Sequence, residues 1–260
     1  MSALIHPTAL IDPSAELHPS VQVGPYSIIG PEVRIGADCM IGPHVVIGGY
    51  TTLGERNRIF QFASVGEVPQ DRKYAGELCW LHIGDDNVIR EACSLHRGTI
   101  QDEGITRIGH RNLLMVNVHI AHDCVIGDDC TLANNAGVAG HVRIGNQVII
   151  GGNAGIHQFC RIDAYSMVGG GSVVLKDVPA FVMTQGNPAG AHGMNYEGMR
   201  RRGWSSQTIN TLRRAFAVVY RQGLTVSEAI DQLSTELLPL APEVQLLIDS
   251  LQNSTRGIVR

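Results

Sequence analysis

The chain repeats an aliphatic residue at every sixth position, and this feature restricts its fold more than any other. The series runs without a miss over Ile5–Val65, returns in the same phase over Ile83–Leu95, and resumes one residue out of phase over Ile108–Val174. A period of six fits neither the 3.6 residues of an α-helical turn nor a coiled-coil heptad. It fits a short strand followed by a corner, with the aliphatic side chain pointing inward.

Three sides of six residues make a triangular coil of eighteen, and stacked coils bury the aliphatic side chains in continuous ladders. Such ladders need few large rings, in agreement with 5% aromatic residues beside 30 glycines. The glycine that often follows the aliphatic residue, as in "IGADCM" and "IGPHVV", is expected to accept the tight turn at the corner. The repeat therefore predicts a β-solenoid in which three regular hexads separate Val65 from Ile83.

Five of the six cysteines occupy the small fifth position of a hexad: Cys39, Cys93, Cys124, Cys130 and Cys160. This placement predicts that they fill the core. The alternatives are a disulfide framework and a zinc site built on thiolates. The chain has no CxxC motif and is expected to be cytoplasmic, and neither property favours these alternatives.

Two segments interrupt the repeat, residues 66–82 and about 98–107, and both are predicted to be loops that leave the solenoid. A regular scaffold has no structural need for them, and long loops often carry function. A solvated charged loop is the alternative. The candidate site residues in the first loop are Asp71, Arg72, Lys73 and Tyr74.

Helical spacing replaces the hexads beyond residue 186, which divides the chain into a solenoid region, 1–186, and a small α-helical domain, 187–260. Thr225 and Glu228 have capping-box spacing, and Pro242 is expected to open the last helix. One face of the first long helix is predicted to carry Ile209, Leu212, Phe216 and Val219.

The net charge of −4 gives no reason to expect nucleic-acid binding. The N-terminal segment lacks the basic and apolar regions of a signal peptide, and no stretch of roughly twenty apolar residues could span a bilayer. These features predict a cytoplasmic protein without an integral membrane segment.

The segment "HIAHDC" places His119 and His122 three residues apart, with Asp123 beside the second. Because one coil is eighteen residues long, His141 should lie one coil above Asp123. By the same count, Gly140 should lie one coil above His122, where the missing side chain leaves room beside the imidazole.

A neutral imidazole beside a carboxylate is suited to proton transfer near neutral pH, which favours a general base at this place. The alternatives are a zinc site built from histidines of neighbouring coils, His157 included, and corners that simply tolerate histidine. A partnership between His122 and Asp123 also requires a corner conformation, because adjacent residues on a strand point to opposite faces.

The hexads resemble those of the hexapeptide-repeat acyltransferases, whose solenoid is a left-handed parallel β-helix. More specific motifs, among them "HIAHDC", "LANNAGVAGH", "QDRKYAGE", "NYEGMRRRG" and "STRGIVR", resemble the UDP-N-acetylglucosamine O-acyltransferase family of lipid A synthesis, with "IFQFAS" in place of the family's "IYQFAS". The second resemblance covers essentially the whole chain. It implies a left-handed parallel β-helix with a small C-terminal α-helical domain, and a homotrimer with active sites between subunits.

The implied reaction transfers a 3-hydroxyacyl chain from acyl carrier protein to the 3-hydroxyl of UDP-N-acetylglucosamine, without a metal or other cofactor. By the resemblance, His122 matches the general base, Asp123 its supporting carboxylate, and Gly140 the residue whose N–H receives the oxyanion. The position matching Gly170, with Met167 nearby, controls acyl length, and glycine there predicts a long donor. The residues that match substrate contacts are Asp71, Lys73, His119, His141, His157, Gln158, Asn195, Glu197, Arg201 and Arg202.

Three other functions compete with this interpretation: a related N-acyltransferase acting on an amino sugar, a carbonic anhydrase with a three-histidine metal, and a solenoid without catalytic activity. The first normally carries an extra N-terminal domain, whereas here the hexads begin at Ile5. Metal analysis would separate the second, and an assay of ester formation would separate the third.

Overall fold

Short parallel strands wind through three sheets that form the sides of a triangular solenoid, as the hexads predict. The computed structural model describes residues 4–260, so the first three positions of the predicted region 1–186 lie outside the described residues. In most strands the second residue is the aliphatic one, and its side chain is buried in the interior. Partners in adjacent coils pair in register, such as Leu114 with Leu132 and Ile120 with Val138.

Sheet I has nine strands, whose order along the solenoid axis is β1 (Leu10–Ile11), β4 (Ile28–Ile29), β7 (Val46–Ile47), β10 (Ser64–Glu67), β13 (Ser94–His96), β16 (His119–Ile120), β19 (Gly137–Val138), β22 (Gly155–Ile156) and β25 (Val173–Val174). Sheet II has eight strands, which are β2 (Glu16–Leu17), β5 (Arg34–Ile35), β8 (Thr51–Leu53), β11 (Trp80–Ile83), β14 (Ile105–Ile108), β17 (Val125–Ile126), β20 (Arg143–Ile144) and β23 (Arg161–Ile162).

Sheet III has ten strands and ends in an antiparallel hairpin made by the last two, β26 and β27. From the N-terminal end, its strands are β3 (Gln22–Val23), β6 (Met40–Ile41), β9 (Arg58–Ile59), β12 (Val88–Ile89), β15 (Leu113–Leu114), β18 (Thr131–Leu132), β21 (Ile149–Ile150), β24 (Met167–Val168), β26 (Val182–Gly186) and β27 (Ala189–Met194).

The expected role of the glycine that follows the aliphatic residue is wrong at most positions, Gly66 with φ +81° being an exception. Gly36, for example, is not in the left-handed region, whereas Asp38 two residues later has φ +59°. A Cβ at Gly36 would lie 2.6 Å from the carbonyl oxygen of Gly54 in the next coil. Glycine is needed there because the backbones of stacked coils approach closely, and the turn itself falls on a non-glycine residue, often Asp or Asn.

The two interruptions are insertions between coils of eighteen residues. Equivalent positions are 30 residues apart across the first insertion and 25 across the second, against 18 elsewhere. The first insertion adds twelve residues, or two hexads, so the phase is kept, and the second adds seven, which produces the shift of one. Ile83 therefore pairs with Leu53 and does not follow Val65 by three regular hexads.

Strands extend into both predicted loops. β10 continues to Glu67 and β11 begins at Trp80, so the first loop occupies 68–79 within the predicted 66–82. β14 begins at Ile105, so the second loop ends before the predicted residue 107. β11 and β14 are longer than the usual two residues because they pair with each other from Trp80 and Ile105 onward, before the hexads resume. β11 also pairs with β8.

The C-terminal helices are α1 (Tyr196–Arg201), α2 (Ser206–Arg221), α3 (Val226–Gln232), a π-helical turn (Leu233–Leu237), a 3-10 turn (Leu238–Leu240) and α4 (Val244–Gln252). Ile209, Leu212, Phe216 and Val219 are buried on one face of α2, as predicted. The capping box of Thr225 and Glu228 is present. Pro242 lies just before the N-cap residue Glu243, outside α4.

The C-terminal segment is fastened to the solenoid through Asp177. One oxygen of this buried carboxylate accepts hydrogen bonds from Ser254 Oγ and from the N–H groups of Thr255 and Arg256. The other oxygen accepts the N–H of Arg161. The tail is therefore tied to the last coils by charge-assisted hydrogen bonds.

All six cysteines are free and buried, as expected for core residues. Burial raises the pKa of Cys124 to about 12 and that of Cys93 to about 11, so both stay protonated and unreactive. Within residues 4–260, none of the helices is long and apolar enough to cross a membrane.

Candidate active site

A groove of about 500 Å³ runs along sheet I beside the corner where the chain passes from sheet I to sheet II. Four of the residues singled out from the sequence lie in its wall: His119, His122, Gly140 and His157. Gly137 and Gly155 form part of the same wall, and a Cβ at either would meet nothing within 4 Å. The solenoid therefore brings histidines from successive coils to one open, mostly apolar channel.

His122 and Asp123 form a hydrogen-bonded pair at this corner. Asp123 adopts φ +60°, and this corner conformation turns its carboxylate so that Oδ2 lies 2.8 Å from Nδ1 of His122. The side chain of Asp123 is 1% exposed and that of His122 is 14% exposed. The required corner conformation is thus present.

The carboxylate of Asp123 is also held by Thr99 of the second inserted loop. The Thr99 N–H donates to Oδ1 at 2.7 Å and its Oγ1 donates to Oδ2 at 2.6 Å. Burial opposes the charged form of Asp123, but the hydrogen bonds from His122 and Thr99 outweigh it and hold the pKa below its usual value. Asp123 is therefore an anchored carboxylate at neutral pH.

His141 lies one coil above Asp123, as predicted. Its ring stacks on Phe159 at a centroid distance of 4.5 Å and stands edge-on to His122 at 5.1 Å. Nδ1 of His141 lies 2.9 Å from Oδ2 of Asp102, and Nε2 lies 3.8 Å from Oδ2 of Asp123. Two imidazoles and two carboxylates thus form one polar network.

Gly140 lies directly against the ring of His122. An added Cβ would be 2.7 Å from Cε1 and 2.8 Å from Nε2 of the imidazole. No side chain fits there without moving the ring. Among the described residues, the Gly140 N–H has no hydrogen-bond acceptor.

His119 lies at the base of the groove, where Nδ1 is 2.8 Å from Ser94 Oγ. Burial lowers its pKa. Beneath it, His96 is 3% exposed and packs edge-on against His119 at 5.0 Å. Burial lowers the pKa of His96 to about 4, so the lower part of the site is neutral at physiological pH.

His157 and Gln158 lie at the far end of the groove, and both are exposed. His157 lines the groove, and its Nδ1 contacts the backbone oxygen of Gln158 at 3.1 Å. In the first loop, Asp71 accepts the N–H of Lys73 at 2.9 Å, and Lys73 is exposed. The residue of this loop that lines the groove is Gln70.

The four predicted substrate contacts that follow the solenoid lie at a different corner, between sheets II and III. Asn195 caps α1 by accepting the Gly198 N–H and donates to the carbonyl of Tyr165, so its side chain is committed to the fold. Arg202 donates to Gln147 and to the carbonyl of Gly198. Glu197 and Arg201 are exposed and pair with each other at 3.4 Å.

Gly170 and Met167 lie away from the histidines. Met167 is half-buried on the outer side of sheet III, and Gly170 is exposed at the corner between sheets III and I. A Cβ at Gly170 would meet the carbonyl oxygen of Gly152 at 3.3 Å, which is tighter than most Cβ contacts. The position accepts a side chain only with a small adjustment of its neighbour.

Four residues of the site were missed from the sequence: Gln70, Thr99, Asp102 and Thr106, the last of which accepts the Asp123 N–H at 2.8 Å. Thr99 and Asp102 lie within the second predicted loop. The sequence did contain a signal for them. The hexads change phase after this loop, which indicates an insertion one coil below "HIAHDC".

His122, Asp123 and His141 each offer a ligand atom within 4.8 Å of the others, so a metal site must be considered. Nδ1 of His122 already faces Asp123, Nδ1 of His141 faces Asp102, and both oxygens of Asp123 accept from Thr99. A cation would have to displace these bonds. The arrangement is better suited to orienting imidazoles for proton transfer.

Two family models match the chain: "Udp N-acetylglucosamine O-acyltransferase; Domain 2" over residues 177–259, and "Bacterial transferase hexapeptide (six repeats)" over 105–140. The acyl-[acyl-carrier-protein]–UDP-N-acetylglucosamine O-acyltransferase of Psychrobacter arcticus is 62% identical over 98% of this chain and 99% of its own length. The same-named protein of Thiobacillus denitrificans is 54% identical over 99% of this chain and 100% of its own.

Solved structures agree with these relatives. LpxA from Acinetobacter baumannii is 64% identical and superposes with a TM-score of 0.97 over 99% of this chain and 100% of that one. The UDP-N-acetylglucosamine acyltransferase of Francisella novicida is 37% identical, with a TM-score of 0.96 over 98% of this chain and 94% of that one. The fold is the left-handed parallel β-helix of these enzymes. The chain belongs to the acyl-[acyl-carrier-protein]–UDP-N-acetylglucosamine O-acyltransferase family.

Proposed function

We propose that this chain transfers a 3-hydroxyacyl group from acyl carrier protein to the 3-hydroxyl of UDP-N-acetylglucosamine, the reaction that opens lipid A synthesis. The names of the relatives support the acyl donor and the acceptor. The observation that supports the chemistry is the hydrogen bond between His122 and Asp123 at the wall of the groove.

His122 is the proposed general base. When Asp123 accepts a hydrogen bond from the Nδ1–H of His122, the lone pair on Nε2 is available to take the proton of the sugar hydroxyl. The hydroxyl oxygen then bonds to the thioester carbon, and negative charge develops on the carbonyl oxygen. Gly140 is the proposed oxyanion donor, because its N–H has no other acceptor among the described residues and it lines the groove beside the imidazole.

Collapse of the tetrahedral intermediate breaks the bond between carbon and sulfur. The proton held by His122 then passes to the departing thiolate, so the base returns to its starting state. The products are an oxygen ester of the nucleotide sugar and the free thiol of the carrier. Every atom in this scheme comes from the two substrates, and the protein supplies only a base and an oxyanion donor.

We further propose a homotrimer, because two of the three sheets present apolar outer faces. Leu10 and Ile28 on sheet I are 65% and 43% exposed, and Met40 on sheet III is 45% exposed. The outer side of sheet II instead carries charges such as Arg34 and Arg143. Sheet I of one copy packed on sheet III of the next would be a head-to-tail contact, which forms a ring when the rotation between copies closes; the proposed ring has three copies.

The trimer would also complete the site. In one chain, His122 lies at the corner between sheets I and II, whereas α1 lies at the corner between sheets II and III, against Gln147 and Tyr165. Packing sheet I on the neighbour's sheet III brings these two corners together. The exposed Arg201 would then approach the groove of the adjacent copy, where its guanidinium suits a diphosphate.

The remaining substrate contacts are proposed on the same basis. Lys73 and Asp71 lie in the loop whose Gln70 lines the groove. His119 and His157 line the groove, His141 packs against His122, and Gln158 follows His157. Glu197 accompanies Arg201, and Asn195 and Arg202 hold α1 in place. A cytoplasmic location is supported by six free, buried cysteines, which suit a reducing compartment.

The test is an assay of the purified full chain with a 3-hydroxyacyl carrier protein and UDP-N-acetylglucosamine, followed by product mass. We expect a mono-acylated nucleotide sugar whose ester is cleaved by mild alkali, and a particle of three times 28.0 kDa by light scattering. An alkali-stable amide would favour the N-acyltransferase. Stoichiometric zinc with carbon dioxide hydration would favour a metalloenzyme instead.

A further inference from the structure

The second inserted loop, residues 97–104, holds polar groups on two successive coils of the candidate site. Thr99 donates twice to the carboxylate of Asp123, at 2.7 and 2.6 Å. Three residues later, Asp102 contacts His141 in the next coil, with 2.9 Å between Oδ2 and Nδ1. This loop, which makes its coil seven residues longer than a regular one, therefore contacts side chains on both coils.

The ring of His141 depends on this contact for its orientation. Stacking on Phe159, with 10° between the ring planes, fixes the plane of the imidazole. Stacking alone does not decide which nitrogen faces the loop, because a ring turned over within that plane stacks equally well. The contact between Asp102 and Nδ1 distinguishes the two orientations, and it leaves Nε2 on the side of Asp123.

Burial of the His141 side chain favours this contact over a typical surface pair, although Asp102 itself is exposed. The side chain of His141 is 13% exposed and that of Asp102 is 31% exposed. A hydrogen bond to a carboxylate is stronger than one between neutral groups, and partial burial reduces competition from water. The neighbouring Glu103 instead pairs with Arg107 and is more than half exposed, so the two acidic residues have different roles.

We propose that Asp102 is a positioning residue that sets the orientation of His141 at the groove before substrate binds. Its carboxylate accepts a hydrogen bond from the Nδ1–H of His141, so that Nε2 is the ring atom presented toward Asp123 and the substrate. This inference rests on the proposed acyl transfer for its kinetic effect, but the orientation of the ring is measurable without any substrate.

The kinetic test is a double-mutant cycle on the full chain. Asp102→Ala should lower kcat/KM about tenfold, the size expected for one charge-assisted hydrogen bond. Asp102→Asn keeps an oxygen acceptor and should recover most of the activity. In a His141→Ala background, Asp102→Ala should have no further effect, because a positioning residue acts only through its partner. Glu103→Gln is the matched control and should leave kcat/KM unchanged.

The spectroscopic test uses protein labelled with ¹⁵N at the histidine rings, without substrate, with the His141 signals identified by their loss in His141→Ala. We expect Nδ1 of His141 to carry a proton and its shift to move in Asp102→Ala but not in Glu103→Gln. Unchanged His141 signals in Asp102→Ala would overturn the proposal, as would an equal kinetic loss in both backgrounds. If the wild-type chain makes no ester, the proposed function fails, and the ¹⁵N result still decides the role of Asp102.

Discussion

His122 and Asp123 are neighbours in the chain, yet their side chains meet, with 2.8 Å between Nδ1 and Oδ2. On a strand, adjacent side chains would point to opposite faces. Here φ of +60° at Asp123 turns the carboxylate back toward the imidazole. The conformation belongs to a corner that recurs along the solenoid, so the pair uses a feature that the repeat already supplies.

His122→Ala should lower turnover by about 10²–10⁴, because a positioned base commonly contributes that much. The measurement is kcat with saturating donor and acceptor, together with the circular dichroism and particle mass of the variant. A folded variant that retains a near-normal rate would remove His122 from the mechanism.

Asp123→Ala should reduce turnover less than His122→Ala does, since the base itself remains. It should also lower the free energy of unfolding by about 1–3 kcal/mol, because the Thr99 N–H and hydroxyl lose their buried acceptor. Rates and urea unfolding measured on the same preparation check both parts. A slower enzyme than His122→Ala would mean that Asp123 itself takes part in proton transfer.

Gly140→Ala should inactivate the enzyme without unfolding it. The new Cβ would lie 2.7 Å from Cε1 of His122, so the ring must move, and a displacement of about 1 Å can cost about 10² in rate. Turnover and thermal unfolding of the variant are compared with wild type. Full activity in Gly140→Ala would show that the close approach of this glycine to the imidazole has no catalytic importance.

Gly170→Met should shift the preferred acyl donor toward shorter chains. The wild type is expected to prefer about fourteen carbons, since each methylene buried in an open groove contributes up to ~0.8 kcal/mol. Mixed donors competing in one reaction, with product masses recorded, give the preference directly. Met167→Ala is the companion variant and tests whether that side chain acts as the stop. A wild-type preference for about ten carbons over about fourteen would contradict the prediction.

Stability should fall as the pH is lowered from about 6.5 to about 4. His96 has its pKa lowered from 6.5 to about 4 by burial, so in this window the unfolded chain binds a proton that the folded chain does not. The contribution of this group is at most about 3 kcal/mol. Urea unfolding at fixed protein concentration measures it, and His96→Leu should flatten the slope.

The slope that remains in His96→Leu should come from His119 and His82, because burial also lowers the pKa of both. Asp123 affects the free energy of unfolding in a more acidic range. Its pKa is lowered in the folded chain, so its contribution is lost only as the pH falls below the ordinary value of 3.8. An identical pH dependence in wild type and His96→Leu would show that His96 is not the buried neutral group described here.

The vertical arrangement of the site was determined by the sequence alone. A strict period of six makes each coil without an insertion eighteen residues long, so the position of His141 above Asp123 and of Gly140 above His122 follows by counting. Counting residues is sufficient here because each residue of a solenoid contacts mainly the residues one coil away. The same locality explains why the faces of the C-terminal helices and the capping box at Thr225 were predicted correctly.

The tertiary structure decided what the period does not encode. The lengths of the insertions could be assigned only once Ile83 was seen to pair with Leu53. Thr99 and Asp102 reach the site because a loop without a repeat folds back over the corner, and its path is set by contacts that leave no periodic trace in the sequence. The glycines likewise owe their positions to the close approach of neighbouring coils, a constraint that exists only when the chain is stacked on itself.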